Sequence, residues 1–315
     1  MSLGDDSSSF GNIVQGDSAN NSADPYVLTA DPLTPLGHVA PCTLHISADG
    51  GYEVDRPINL VIGDPTIGPS GPDNYGYYCY DDRDVGYTEC PTYAWFEIAP
   101  PGPGAIISEI SNHDDEWTTR SLPFTFRYYG VDRSLISISS NGWMSFGTAG
   151  GAYYLNSPIP DPGGPAAMVA GFWDDLVTDD HGDVYEYYDA ANHRYILEWK
   201  EVARWGTSEW ETFQIVLYDP LYDTTVTGDG EIICQYEGVA NPNSCTVGIE
   251  NDSETDGLEY LYDGSYEVHA SPLETGRAIK FTTDPPVPVG IAEKVSGIWH
   301  LASACSRTIP IPSAR

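Results

Sequence analysis

Aspartate is concentrated in a few short stretches of this 315-residue chain, where neighbouring carboxylates could bind a divalent cation. Calcium takes about six to eight oxygen ligands, usually from a loop in which Asp, Asn and Gly are dense. The stretches 219–229 and 251–256 share this composition, and no stretch has EF-hand spacing. Ca2+ is therefore the candidate cofactor, and solvated turns without metal are the alternative. The candidate ligands in the two other stretches are Asp81, Asp82, Asp84, Asp174, Asp175, Asp179, Asp180 and Asp183.

Three tryptophans cluster around the segment ARWGTSEWE, at positions 199, 205 and 210. Indole rings stack on the faces of sugar rings, and neighbouring carboxylates accept hydrogen bonds from sugar hydroxyls. Trp205 and Trp210 are therefore the candidate ligand-binding residues. The alternative is that Trp199 belongs to the core and that the other two cover a loop.

No pattern in the sequence predicts catalysis. A cysteine nucleophile needs a histidine base and an orienting group, and the seven histidines are scattered. The G-x-S-x-G, H-E-x-x-H and phosphate-loop patterns are absent. A glycosidase needs two nearby carboxylates, for which Glu198 and Glu211 form the least arbitrary pair. We expect no enzyme activity, and a hydrolase in its own right remains an alternative.

The charge of the chain disfavours two classes of partner. Its formal net charge is −34, from 47 acidic and 13 basic residues. Such a field repels nucleic acid and anionic membrane surfaces. No run of about 18 apolar residues predicts a membrane-spanning helix, and the amino terminus does not resemble a signal peptide. We expect no nucleic-acid partner and no membrane insertion.

The six cysteines allow several disulfide arrangements if the protein is exported. Cys79 and Cys90 flank an acidic loop, and Cys234 and Cys245 flank the segment EGVANPNS. Both pairs are close enough in sequence to predict disulfides. The remaining Cys42 and Cys305 could pair with each other or stay free.

The segment 122–147 predicts a β-hairpin that organises the fold. Ile136 and Ile138 alternate with Ser137 and Ser139, which is the period-2 pattern of a half-buried strand. The dipeptide 141–142, Asn-Gly, tolerates positive φ and predicts a tight two-residue turn. Trp143 and Phe146 would then lie on the return strand.

Further strands are predicted at intervals of about 8–12 residues, with no amphipathic helix between them. This spacing predicts an all-β fold, an antiparallel β-sandwich or jelly-roll. Two segments, 231–236 and 246–250, are predicted to form a second hairpin. Other predicted strands cover 26–30, 42–48, 58–63, 194–202, 211–218, 258–262 and 278–282.

Pro- and Gly-rich segments divide the chain into three parts. Residues 1–64 predict a partial immunoglobulin-like β module, and residues 72–284 a large β-sandwich. Residues 285–315 form a Pro-rich linker and a tail. A partial sheet has unpaired edges, which the next domain, the tail or another molecule must cover.

Several motifs resemble a family of secreted bacterial proteins. The sequence is similar to the β-sandwich domain that follows the catalytic domain in gingipain-type cysteine peptidases and related multidomain proteins, and more distantly to nidogen-like domains. The likeness covers most of residues 10–284, where the first part resembles the end of an immunoglobulin-like module. The motifs that carry it include LPFTFRYYG, SISSNGWMSFG, MVAGFWDDL, ETFQIVLYDP and GRAIKFTT.

The resemblance implies a non-catalytic extracellular or cell-surface module of a multidomain parent protein such as a gingipain-like peptidase. Its role would be structural, adhesive or engaged with a substrate or glycan. Its partners would be other domains of the parent protein and a surface glycan or protein. An alternative is a self-assembling subunit that pairs with a neighbouring copy by strand addition.

Overall fold

The structure, a computed structural model, describes residues 2–14, 17–20, 22–30, 34, 38–63, 68–179 and 181–289. These residues form 19 strands and no helix, so none of them belongs to a helix that could cross a membrane. Contacts divide the described residues into two compact units, one ending at residue 63 and the other covering residues 68–289.

The first unit contains two separate two-stranded antiparallel sheets. The second of these is a long hairpin with eleven residues in each strand, joined by a turn that includes Gly50 and Gly51, both at positive φ. The predicted strand 42–48 lies within β3, and the predicted strand 58–63 extends one residue beyond β4; both observed strands begin earlier than predicted. The four strands are β1 (Ser2–Asp5), β2 (Val27–Thr29), β3 (His38–Ala48) and β4 (Tyr52–Ile62).

The second unit contains two antiparallel sheets, neither closed into a barrel, which confirms the predicted β-sandwich. The eight-stranded sheet contains, in spatial order, β5 (Tyr78–Asp81), β19 (Ala278–Thr282), β15 (Ile232–Gly238), β14 (Trp210–Tyr218), β13 (Arg194–Arg204), β12 (Asp183–Asp189) and β6 (Ala105–Ile106), with β11 (Leu176–Val177) paired to β13. The seven-stranded sheet contains β18 (Ser265–Tyr266), β17 (Gly257–Tyr262), β16 (Thr246–Glu250), β10 (Met168–Trp173), β9 (Trp143–Phe146), β8 (Val131–Ser139) and β7 (Trp117–Tyr128).

The main core takes apolar side chains from both sheets. Ile136 and Ile138 of β8 are fully buried there, as their alternation predicts. On the other sheet, the rings of Trp199 and Phe213 stack with their centroids 4.9 Å apart. Burying each such side chain contributes about 1.5–3 kcal/mol relative to leaving it exposed, so this layer supplies most of the driving force for folding.

The outer face of the seven-stranded sheet is also covered, which the alternation in β8 does not predict. Ser137 and Ser139 are fully buried beneath the connection from β9 to β10. Their hydroxyls donate to the carbonyls of Gly147 and Ala152, at 2.9 and 3.1 Å. A second apolar cluster that includes Trp143 and several residues of this connection fills the same face. The two serine side chains therefore form buried hydrogen bonds and do not face solvent.

The outer face of the eight-stranded sheet is covered by residues 91–104, which we call the strap. Ile98 of the strap packs on Ile196 and Val216. Side chains of the sheet also bind the strap backbone, because Gln214 Nε2 donates to the carbonyl of Phe96 at 2.9 Å. The strap is thus held by both apolar packing and hydrogen bonds.

The predicted reversal at residues 141–142 is present, although the turn contains three residues, 140–142. Gly142 has φ +77°, and a Cβ at this position would lie 1.9 Å from the carbonyl oxygen of Phe172. Both the positive φ and the close approach of β10 require glycine here.

The predicted hairpin of residues 231–236 and 246–250 is wrong. The first segment lies in β15 of the eight-stranded sheet and the second in β16 of the seven-stranded sheet. The connecting residues therefore cross from one sheet to the other. Turn composition alone does not distinguish such a crossing from a reversal within one sheet.

Neither predicted disulfide is present, because all five cysteines among the described residues are free thiols. Cys79, Cys234 and Cys245 are buried in the main core, where burial raises the pKa of Cys234 to about 12. Cys90 lies outside this cluster, with its Sγ 3.7 Å from the carbonyl oxygen of Asp81. Cys234 and Cys245 belong to segments of different sheets rather than to paired strands. Cys305 lies outside the described residues.

Candidate functional site

The short strand β11 brings three segments of the second unit together. On one side it pairs with the end of β13, where Leu176 is opposite Arg204. On its other side, Asp114 forms a β-bridge with Val177. The loop before β11, the segment 113–115 and the turn between β13 and β14 therefore share one rim of the sandwich.

Asp114, Asp115 and Asp175 meet at this rim, with one carboxylate oxygen of each lying within 4.8 Å of the others. Asn141 of the β8–β9 turn holds two of the segments, since its Nδ2 donates to Asp115 Oδ1 and its Oδ1 accepts from the backbone N–H of Leu176, both at 2.9 Å. The hairpin turn thus positions the three-aspartate cluster.

The electrostatics of the cluster favour a bound cation or proton. Burial, together with the charges of Asp115, Asp114 and Asp174, raises the pKa of Asp175 to about 6. Burial and the charges of Asp115 and Asp179 raise the pKa of Asp114. Carboxylates crowded in this way repel one another, and a divalent cation would offset that repulsion.

Of the predicted metal ligands in residues 174–183 that the structure describes, Asp175 alone joins this cluster. Asp174 is buried and accepts from the Ser244 hydroxyl at 2.6 Å. Asp179 is exposed, and Asp183 starts β12 and accepts from the Tyr185 hydroxyl at 3.3 Å. Asp180 lies outside the described residues.

The other predicted metal loop is tied to its own surroundings. Asp81 Oδ2 accepts from the Tyr260 hydroxyl at 3.0 Å, and Asp82 Oδ1 accepts from Arg277 Nη1 at 2.6 Å. Asp84 Oδ2 accepts from the backbone N–H of Asp81 at 2.8 Å. With most of their oxygens engaged in this way, these three residues serve the packing of β5 against β19 rather than an open cation site.

Sequence reasoning missed Asp114 and Asp115, whose signal was the acidic pair in the segment HDDEW.

A second acidic group, formed by Glu89, Glu231 and Asp284, also has its carboxylate oxygens within 4.8 Å of one another. Lys280 Nζ lies 2.6 Å from Glu89 and 2.7 Å from Glu231. This group is already paired with a cation of the protein, and the three-aspartate cluster is the better candidate.

The predicted aromatic ligands lie at the same rim. Trp205 is 61% exposed and Trp210 is 48% exposed, whereas Trp199 is fully buried in the core. The backbone N–H of Trp205 donates to the carbonyl oxygen of Asp175 at 2.8 Å. The His181 ring stacks on Trp210 with the centroids 4.0 Å apart. We call Trp205, Trp210 and the three-aspartate cluster the acidic–aromatic rim.

The two glutamates considered for hydrolysis do not share a site. Both are fully buried, and Glu198 is opposite Gln214 whereas Glu211 is opposite Val202. Glu198 Oε2 accepts from the backbone N–H of Ile98 at 3.1 Å. Glu211 accepts from the backbone N–H groups of residues 240 and 241. Each carboxyl group therefore binds a separate loop to the eight-stranded sheet.

The aspartate stretch at 251–256 borders a shallow cleft of 360 Å³ that is also lined by Tyr75 and Tyr129. Asp256 Oδ1 accepts from the backbone and side chain of Asn74, at 3.0 and 2.9 Å. Asn251 Oδ1 accepts from residues of its own turn. This stretch therefore forms a structural turn.

A family model described as "NIDO related" matches residues 91–283. No curated protein and no solved structure matches the chain significantly.

Proposed function

The chain belongs to the NIDO-related family, and we propose that it is a non-catalytic extracellular β module that binds a surface glycan through its acidic–aromatic rim. The family suggests an extracellular type of β module. The high net negative charge suits such a setting, because it keeps a protein soluble and disfavours nucleic-acid partners.

The observation that carries the proposal is the hydrogen bond between the Trp205 backbone and the Asp175 carbonyl. It joins an exposed indole to a carboxylate cluster on the same rim, although the residues are 30 positions apart in the sequence. Aromatic faces bind the apolar face of a sugar ring, and carboxylates accept hydrogen bonds from its hydroxyls. This pairing of groups is the usual chemistry of glycan recognition.

In this proposal Ca2+ is held by Asp114, Asp115 and Asp175. Carboxylate oxygens are the ligands that calcium prefers, and three of them already converge. The cation would order the loop before β11 and, through the Asp175 carbonyl, the position of Trp205.

The gingipain-like motifs support a place for this module in a secreted multidomain protein, where it accompanies a peptidase domain. Its other partners would then be the remaining domains of that protein. Within the chain itself, the separation of Glu198 from Glu211 supports the absence of hydrolysis. Incubation of the purified chain with casein and with glycan substrates should give no product above background.

A glycan array probed with the intact chain tests the rim. We expect binding that falls at least about tenfold in Trp205→Ala and Trp210→Ala, since a hot-spot aromatic contributes about 2 kcal/mol or more to binding. Tyr222→Ala is the matched control, because Tyr222 is also 61% exposed and stacks on a histidine, His193. Absence of binding to every glycan, or equal losses in all three variants, would contradict the proposal.

A further inference from the structure

The shallow cleft of 360 Å³ beside the turn 251–256 has two tyrosine rings in its lining, and we call it the tyrosine cleft. Tyr75 is half-buried and Tyr129 is 9% exposed. Their ring centroids lie 5.2 Å apart, and the ring planes are tilted by 51°. Asp252 and Asp256 of the turn line the same cleft. The cleft therefore combines aromatic surface with carboxylates.

Tyr129 occupies a backbone conformation that tyrosine rarely adopts. Together with Gly130 it forms the two-residue turn between β7 and β8, and the φ angles of the two residues are +45° and +75°. Such turns favour Asn, Asp or Gly, and a bulky residue at positive φ is strained. Strain of this kind is concentrated at ligand-binding positions. The strained turn places the Tyr129 ring in the lining of the cleft.

Both tyrosine hydroxyls donate to carboxylates. Tyr75 Oη donates to Asp229 Oδ2 at 2.7 Å, and Tyr129 Oη donates to Asp73 Oδ2 at 2.6 Å. Burial and the interaction with Asp229 raise the pKa of Tyr75 to about 12, so this phenol keeps its proton at neutral pH. These hydrogen bonds fix the two rings, and a carboxylate acceptor increases the electron density of a phenol ring. An electron-rich ring face attracts cations.

The hydrogen-bonding groups of the lining favour a ligand that donates and does not accept. Asn74 Nδ2 donates to Asp256 Oδ1 at 2.9 Å, and Ser253 Oγ donates to Asn251 Oδ1 at 3.2 Å. With the two tyrosine hydroxyls, four of the five side-chain groups in the lining that can donate are engaged within the protein, and the fifth is the Asn251 amide. The side chain of Asp252 is 50% exposed. Sugar hydroxyls both donate and accept, whereas ammonium and guanidinium groups only donate.

The charges around the cleft also favour a cation. Two arginines lie nearby, and each is paired with an aspartate, Arg133 with Asp252 and Arg127 with Asp132. The carboxylate of Asp256 and the two that accept from the tyrosine hydroxyls form no ion pair among the described residues. The cleft therefore retains an excess of negative charge, which attracts a cationic ligand.

We propose that the tyrosine cleft binds an organic cation with N–H donors, an alkylammonium or guanidinium group. Cation–π attraction holds such a group within about 6 Å of the Tyr75 ring centroid, and its N–H groups donate to the carboxylates of Asp252 and Asp256. A cleft of 360 Å³ is large enough for one such group with its alkyl stem. This chemistry occurs both in small free amines and in the Lys and Arg side chains of a polypeptide.

Cation binding at the tyrosine cleft is independent of glycan binding at the acidic–aromatic rim. Tyr129 immediately precedes β8, whereas Asn141, which holds the rim, follows the end of the same strand. The two sites therefore lie at opposite ends of β8. Trp205→Ala, which should lose glycan binding, should bind the cation as wild type does.

The experiment titrates the full chain, labelled in its tyrosine rings, and follows the ring signals of Tyr75 and Tyr129 by NMR. The probes are n-butylamine, which is an ammonium ion at neutral pH, and 1-butanol, its neutral counterpart. We expect saturable shifts with the amine and an affinity for butanol that is at least about fivefold weaker. Tyr75→Phe identifies the Tyr75 signals.

A blocked Gly-Lys-Gly peptide separates the two sources of the cation. An affinity equal to that of butylamine assigns the cleft to free amines. An affinity at least about tenfold tighter assigns it to a side chain of a polypeptide, because the peptide backbone then adds contacts. Either result supports a cation site.

Two aspartates that are each exposed and paired with an arginine provide matched variants. Asp252→Asn should weaken butylamine binding by at least about threefold, because a carboxylate of the lining is lost. Asp132→Asn removes the same charge outside the lining, and it should change the affinity by less than about twofold. Tyr75→Ala should weaken binding by at least about fivefold. The aspartate variants keep the test valid if Tyr75→Ala does not fold.

Three results would overturn the proposal. Equal affinities for butanol and butylamine would show that the cleft takes a neutral ligand. Equal losses in Asp252→Asn and Asp132→Asn would show that the amine associates with the acidic surface in general. The absence of a saturable shift with butylamine and with the peptide would show that the cleft binds no organic cation.

Discussion

The carboxyl groups of Glu97 and Glu198 are neighbours in one network, in which Glu198 Oε1 is buried with no donor bonded to it among the described residues, whereas Lys200 Nζ donates to Glu97 Oε2 at 2.7 Å. Burial raises the pKa of Glu198 and the interaction with Glu97 adds to the rise, which together bring the pKa to about 8. Burial acts to raise the pKa of Glu97 as well, but its hydrogen bonds with Glu198 and Lys200 outweigh burial and lower that pKa. Glu198 is therefore the protonated partner, and the pair fastens the strap to β13.

This pair makes stability depend on pH. The ordinary pKa of Glu198 is 4.5, so between about pH 4.5 and 8 the folded state binds more protons at this site than the unfolded state does. Its contribution to stability is complete below this range and declines as pH rises through it. We expect the free energy of unfolding of Glu198→Gln to decline less steeply with rising pH than that of wild type, because glutamine stays neutral and can keep the hydrogen bonds of Glu198.

Urea unfolding from pH 5 to pH 9 measures this effect. The control is Glu201→Gln, an exposed glutamate on the same strand, which should retain the wild-type dependence. Lys200 and Glu237 also face this region, with Lys200 Nζ 2.7 Å from Glu237. Parallel pH profiles for wild type and Glu198→Gln would disprove the assignment of the proton.

Calcium should stabilise the second unit through the three-aspartate cluster. A ligand at ten times its dissociation constant raises the free energy of unfolding by about 1.4 kcal/mol, so the melting temperature should rise with Ca2+ and fall with chelator. Asp175→Asn should abolish the rise. Asp284→Asn should preserve the rise. Asp284 belongs to the other acidic group, in which Glu89 and Glu231 are already paired with Lys280.

The calcium response should also weaken below about pH 6, where Asp175 becomes protonated. A melting temperature that does not change across a calcium titration at pH 7.5 would contradict the binding of Ca2+ by the three-aspartate cluster.

Gly142→Ala should destabilise the second unit by more than about 2 kcal/mol, because alanine is strained at φ +77° and its Cβ would clash with Phe172. Gly86→Ala is the control, since a Cβ there meets no atom within 4 Å, and it should change stability by less than about 1 kcal/mol. Equal urea midpoints for the two variants would show that β10 does not approach the turn as described.

The buried cysteines should be unreactive thiols. In native protein, Ellman's reagent should modify Cys42 and spare Cys79, Cys234 and Cys245, because those three are buried and burial raises their pKa values. After urea unfolding without reductant all of them should react. An intact mass two daltons below that of the reduced chain, with matching loss of thiols, would instead establish a disulfide.

Much of the fold could be predicted from the sequence, and less of the site. The apolar alternation at Ile136 and Ile138 predicts a buried strand face because it depends only on neighbouring residues. The same alternation places Ser137 in solvent, whereas the β9–β10 connection covers it. Trp205 and Trp210 could be identified as exposed aromatics near a turn, but their proximity to Asp175 could not.

The sequence by itself determined what local patterns control: the antiparallel strands with their period of two and the chain reversal at Gly142. Only the tertiary structure decided which sheet receives β16, which loops cover the outer faces, and that Asp114 and Asp115 meet Asp175. The physical reason is that strand period and turn geometry depend on residues a few positions apart. Sheet assignment and the meeting of distant carboxylates depend on how residues far apart in the sequence pack together in the second unit.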